Sequence, residues 1–233
     1  MIEEIKVLKS LIVSKTRGVS RYERLLEAMK LLEPELRQSS DVQLQEKAQV
    51  LKHRARSGDP TEALLVDVFA LVREAARRTV GLRPYDVQLI GGMGLHDGKI
   101  VQMETGEGKT LAAVSPVVMR ALGGLGVHVI TFNEYLTRRD ADWMGPVSRY
   151  LGLTVWFVQK GVPPHERRQA YRADVTYLTA KEAGFDFLRD GLVYETNQKV
   201  QRPFHAAVVD EADSIFIDEA RVPLVIAGAI GPS

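Results

Sequence analysis

From Gly81 onward, short apolar runs rich in β-branched residues alternate with stretches of helical periodicity. Runs at residues 99–102, 127–132, 153–158, 175–179 and 206–209 read as strands. Helices are expected to start near Lys109, Asn133, Pro164 and Lys181, and the Gly123-Gly124 and Pro163-Pro164 pairs read as turns. Strands that are apolar on both sides need cover on both sides, and each crossover helix supplies it to one face. The expected fold is therefore α/β, a parallel sheet with helices on both faces.

The first eighty residues differ, because they read as helix throughout. Ile2, Ile5, Leu8 and Ile12 lie at helical spacing with Lys6, Lys9 and Lys15 interleaved. That pattern fits a short amphipathic helix packed on its own domain, or one resting on anionic lipid or a partner. A second helix is expected over residues 22–32, stopped by Glu33-Pro34. Ser40 with Gln43 forms a capping box for a third, which Gly58 ends. Asp59-Pro60-Thr61-Glu62 combines a cap, a first-position proline and a capping-box carboxylate. It opens a helix through Leu64, Val68, Leu71, Val72 and Ala75 that stops at Gly81.

Charge and composition remove several function classes. There is no cysteine, which excludes disulfides, thiolate catalysis and cysteine metal sites. The five histidines, His53, His96, His128, His165 and His205, are scattered without ligand spacing. With 31 basic and 30 acidic side chains the net charge is +1, so no general basic excess points to nucleic acid. No apolar run reaches the ~18–20 residues that span a bilayer, and residues 223–230 read as a buried strand. Glu3, Glu4, Lys6 and Lys9 interrupt any secretory leader, so a cytoplasmic setting is expected.

The chemistry concentrates in two places. Between the expected strand at 99–102 and the helix from Lys109 lies Thr105-Gly106-Glu107-Gly108-Lys109-Thr110. Glycines there let backbone amides cradle phosphate oxygens at a helix N-terminus. Lys109 is placed to reach the β- and γ-phosphates of ATP, and the Thr110 hydroxyl to ligate Mg²⁺. Where the strict pattern has its first glycine, this chain has Met103. About a hundred residues on, the apolar run Ala206-Ala207-Val208-Val209 leads into Asp210-Glu211-Ala212-Asp213. Asp210 suits Mg²⁺, and Glu211 suits the base that orients or deprotonates water. Upstream, Gln88 offers an amide that can both donate to and accept from an adenine edge.

These residues sit in longer stretches that resemble the SecA family, the ATP-driven motors of bacterial preprotein translocation. The similar stretches are Tyr85-Asp86-Val87-Gln88-Leu89-Ile90-Gly91-Gly92-Met93, residues 103–110, and Asn133-Glu134-Tyr135-Leu136-Thr137-Arg138-Arg139-Asp140. Gly184-Phe185-Asp186-Phe187-Leu188-Arg189-Asp190, residues 209–221, Pro223-Leu224-Val225-Ile226 and Leu32-Glu33-Pro34-Glu35 are similar as well. The chain departs from the family's usual wording at Leu178, Ala180, Lys181, Ala183 and Gly191, as a divergent SecA-like paralogue does. The resemblance implies a RecA-like P-loop NTPase domain of the helicase type over residues 81–233. Residues 1–80 are then a helical extension packed on it.

The same resemblance implies that Gln88 meets adenine and that Gly106, Glu107, Gly108, Lys109 and Thr110 hold phosphates. Asp210 and Thr110 serve Mg²⁺, Glu211 and Lys109 serve catalysis, and Arg139 lies beside the nucleotide. It implies preprotein substrates, the SecY channel as partner and peripheral attachment to the anionic inner face of the plasma membrane. The sequence stops at Gly231-Pro232-Ser233, roughly where the family inserts its preprotein-binding domain. The chain alone is therefore expected to bind ATP or ADP with little turnover. Two other readings compete. A DEAD-box helicase domain shares Asp210 to Asp213, but has a nucleic-acid-gripping motif where this chain has Thr131-Phe132-Asn133-Glu134-Tyr135-Leu136. A non-catalytic nucleotide sensor would tolerate loss of Lys109, Thr110, Asp210 and Glu211, all of which are present.

Overall fold

The computed structural model describes residues 16–226. The expected helix at residues 2–12 lies outside them, as does the end of the expected strand at 223–230. Residues 223–226 are exposed and pair with no strand, so the buried strand is not found there. Local apolar content cannot supply a ladder partner.

Three helices come first: α1 (Thr16–Gln38), α2 (Asp41–Arg56) and α3 (Thr61–Thr79). Contrary to the expected stop, α1 continues through Pro34 for another turn. An interior proline costs about 3 kcal/mol, and tertiary contacts offset it. Leu36, beyond the proline, is buried, and Glu33 is ion-paired to both Arg73 and Arg83. The capping box of α2 forms as expected: Ser40 N donates to Gln43 Oε1 at 2.7 Å and Gln43 N to Ser40 Oγ at 3.3 Å. Asp59 does not cap α3. Arg54, near the end of α2, takes its carboxylate at 2.7 Å, and Pro60 holds the cap position without a side-chain bond.

α3 is buried along most of its length and is the hub of the molecule. It packs on α1 and α2 on one side, and on α5 (Lys109–Ala121) and α6 (Glu134–Tyr150) on the other. One apolar cluster runs from Tyr22 and Leu26 through Val68, Phe69 and Val72 to Val127, Val129 and Tyr177 of the sheet. The next helix in the chain, α4 (Asp86–His96), packs on α5 and α1. It approaches α5 closely, since a Cβ at Gly92 would sit 2.8 Å from Ala112 O.

The sheet is parallel, with β1 (Val127–Thr131), β2 (Val155–Phe157), β3 (Val175–Thr179) and β4 (Ala206–Val209) in the order β2-β3-β1-β4. Period-two alternation divides its side chains. Val127, Val129, Val175 and Tyr177 join the large cluster with α5 and α6. Ile130 and Leu178 turn the other way, to a second cluster with Ala170 and Tyr171 of α7 (Pro164–Arg172). On that face α7 contacts β2, and α8 (Ala180–Asp190) contacts β3. Both faces are covered, as alternation requires.

The expected strand at 99–102 is not in the sheet. Val101 packs against Gly91 and Gly94 of α4, and Ile100 is 97% exposed. The segment is held by α4 through side chains rather than by a ladder, and β4 is the sheet edge on that side.

Candidate nucleotide site

The phosphate loop is folded as its glycines demand. Gly106 and Gly108 have φ of +91° and +81°, a left-handed region that side chains other than glycine's rarely enter. Gly108 is the N-cap of α5, so Lys109 and Thr110 open the helix with their amides facing the loop. Glu107 bends back within the loop: its carboxylate accepts from Glu104 N at 2.8 Å, and its amide donates to Glu104 O at 3.2 Å. Lys109 is exposed, and its amine makes no ion pair among the described residues.

Gln88 lies directly beneath this loop. Its Nε2 donates to Glu107 O at 2.7 Å and its Oε1 accepts from Tyr85 N at 2.8 Å. The side chain is 5% exposed, and a Cβ at Gly108 would run into Nε2. One amide hydrogen and one lone pair remain for a base. Tyr85, by contrast, is 71% exposed beside it. In the sequence Tyr85 stands out only as the first residue of the family-like stretch 85–93.

On the far side of the loop, the β1–β4 ladder carries on into the turn that bears the carboxylates. Asp210 N donates to Ile130 O at 2.9 Å, which fixes Asp210 just past the end of β4. Its Oδ1 accepts from Glu211 N at 2.9 Å, leaving Oδ2 outward. Glu211 has φ of +51°, the one left-handed non-glycine backbone among the described residues. Such strain persists where surrounding structure imposes it, and it clusters at functional turns. Lys109, Asp210 and Glu211 line one cavity of about 880 Å³ with Gln102, Met103 and Phe132. That is within the size of small-molecule sites, ~300–1,000 Å³.

Arg139 does not line that cavity. Its guanidinium holds Asp140 at 2.7–2.8 Å. Asp140 is buried and, with Thr110 and Asp210, lines a narrow crevice under the loop. Burial pushes the Asp140 carboxyl up, and the Asp210 charge adds to the rise, while Arg139 pulls it down. Arg139 thus reaches the site through Asp140. The sequence had named Asp140 only as the end of a motif.

The geometry brings Gly106, Glu107, Gly108, Lys109, Thr110, Asp210 and Glu211 around one loop, with Gln88 behind it. The donor set fits a triphosphate: two left-handed glycines, an amine without an ion pair among the described residues, a helix N-terminus, and a hydroxyl and a carboxylate converging from α5 and the end of β4. Among the described residues no three His, Asp or Glu side chains converge on a metal. A divalent ion here would thus share Thr110 and Asp210 with phosphate oxygens.

A family profile described as the SecA DEAD-like domain matches residues 8–232. The chain is 50% identical over 214 residues to the protein translocase subunit SecA of Thermosynechococcus vestitus, covering 92% of this chain and 23% of that protein. To its counterpart in Thiobacillus denitrificans it is 53% identical over 212 residues, 91% of this chain and 23% of the relative. With the Heliobacterium modesticaldum protein it shares 50% identity over 221 residues, 95% and 26% of the two chains. The chain thus spans about a quarter of the length of these relatives. The α/β sheet, the loop geometry and this similarity agree, and the chain belongs to the SecA family as its DEAD-like motor domain.

Proposed function

We propose that this chain is the nucleotide-binding half of an ATP-driven preprotein motor. One observation supports it above the rest: Lys109, with no ion pair among the described residues, stands at the mouth of a two-glycine cradle and shares a cavity with Asp210 and Glu211. In this reading the loop amides and Lys109 take the phosphates of ATP, and Gln88 takes the adenine edge. Thr110 and Asp210 hold Mg²⁺, which neutralises phosphate charge when bound. Glu211, two residues past the end of β4, orients water and accepts its proton. Residues 1–80 serve as a helical extension that packs on residues 81–233.

The relatives' names give protein translocation as the task of the longer proteins; preproteins and a SecY channel are carried over to this chain from the family resemblance. Attachment to an anionic membrane surface belongs to the same reading; among the described residues no helix is long and apolar enough to cross a membrane. Turnover by the chain alone is slow, because transferring phosphoryl groups fast takes an arginine from across the cleft, worth ~10³–10⁵ in rate. Calorimetric titration with Mg²⁺-ADP tests the reading. The chain binds, and Lys109→Ala weakens binding by roughly thirtyfold or more, the value of a charge-assisted contact. Equal affinity in the two proteins would remove Lys109 from the site, and ATP turnover by the chain at full motor rates would refute the half-site.

A further inference from the structure

The bulkiest fully buried side chain among the described residues is an arginine that no part of the nucleotide reading uses. Arg73, on α3, is 1% exposed. Its Nε donates to Pro84 O at 2.9 Å, its Nη1 to Glu33 Oε1 at 2.6 Å and its Nη2 to Asp86 Oδ1 at 2.6 Å. Burying a guanidinium is costly unless all sides are matched, and here three acceptors match them. Two of the three, Pro84 and Asp86, flank Tyr85. From Tyr85 the bonding continues: its N–H holds Gln88 Oε1, and Gln88 Nε2 holds Glu107 O in the phosphate loop. Lys30 of α1 takes the other oxygen of Asp86 at 3.0 Å, and Arg83 takes Glu33 at 2.8 Å. Lys30 and Arg73 hold the Asp86 carboxyl below its ordinary range even though burial pushes it up.

We propose that Arg73 is a positioning residue for base selection: by holding the Pro84 carbonyl and the Asp86 carboxylate, on the two sides of Tyr85, it keeps the Gln88 amide in one orientation. This rests on the nucleotide reading above. Adenine presents a donor and an acceptor on its major-groove edge, and guanine presents two acceptors. A fixed amide whose oxygen faces the exocyclic group accepts from the adenine amino group and repels guanine O6. An amide free to rotate can turn its NH₂ to guanine O6, and the discrimination falls. Through Glu33 and Lys30, α1 of the helical extension helps set which base is read. A lysine at position 73 cannot reach three acceptors at once, since it lacks the planar fork.

The test is competition of ATP and of GTP against a fluorescent ADP derivative, on the 233-residue chain with Mg²⁺. The unaltered chain prefers ATP. Arg73→Lys lowers the ATP-to-GTP affinity ratio by about tenfold, the worth of one oriented hydrogen bond. Asp86→Asn, at a partly exposed position that leaves α3 intact, lowers it in the same direction and decides the matter if Arg73→Lys does not fold. A purely structural arginine would weaken both nucleotides alike, and an unchanged ratio in the folded variants overturns the proposal. Equal affinity of the unaltered chain for ATP and GTP overturns it while leaving phosphate binding standing. No nucleotide binding by the unaltered chain overturns the reading on which it rests.

Discussion

Gln88 and Asp210 both stand next to the phosphate loop, yet the chain holds them by different means. Behind Gln88 are three helices, a fully buried arginine, two carboxylates and a second arginine, with bonds of 2.6–2.9 Å throughout. Asp210 hangs from the end of an edge strand by a backbone bond to Ile130, and among the described residues its carboxylate is hydrogen-bonded only to the next amide. Glu211 beside it is exposed and backbone-strained. A base-reading group needs a fixed orientation, because its selectivity is geometric. In the proposed site Asp210 and Glu211 serve the metal and the water, and among the described residues no comparable network holds them. Tight and light anchoring are thus split between the two sides of one loop.

The sharpest way to break this comparison is to remove one anchor from each side and measure stability by urea unfolding. Arg73→Met leaves Glu33 and Asp86 without their buried partner and costs about 3 kcal/mol or more. Asp210→Asn, on the lightly held side, changes stability by about 0.5 kcal/mol or less. Similar losses in both would erase the difference.

Acid offers a second, smaller lever. His128 on β1 is buried between Tyr171 and Phe204, the latter just ahead of β4. Burial, helped by the Arg202 charge, pushes its pKa down to about 4 from 6.5. The folded state therefore resists a proton that the unfolded chain accepts. Its contribution is fully present above pH 6.5, is lost as pH falls toward 4, and is flat below. Between pH 7 and pH 5 the loss is about 2 kcal/mol. His128→Phe removes that part of the slope. If the variant and the parent lose stability in parallel over that range, the histidine is not the cause.

The smallest effect tests the strain at Glu211. Glu211→Gly relieves a left-handed backbone and raises stability by about 1 kcal/mol, less what the added chain freedom takes back. A loss of stability would show that the side chain, not the backbone, sets the turn.

Much of the sheet was legible because its signal is local. Val175–Thr179 and Ala206–Val209 are apolar on both faces, and that pattern survives any partner. Residues 99–102 have the same texture but lie outside the ladder, since texture says nothing about whether a neighbouring strand is in place. Pro34 reads as a stop, and the helix runs past it because Glu33 is gripped from α3 and from Arg83. Asp59 reads as a cap, and a nearby arginine claims it instead. The phosphate loop and Asp210-Glu211 were readable because each is a compact motif. Arg73 was not, for its partners lie 40, 13 and 11 residues away along the chain. Asp140 was hidden for a similar reason: its closeness to Asp210 exists only in the fold.

In the proposed site three segments far apart in the chain come together on one nucleotide. Amide hydrogen exchange, followed with and without Mg²⁺-ADP, tests it most directly. Binding slows exchange together in residues 85–90, 104–111 and 209–213, and leaves α2 unaffected. Protection confined to one of the three segments, or none at saturating nucleotide, would contradict it.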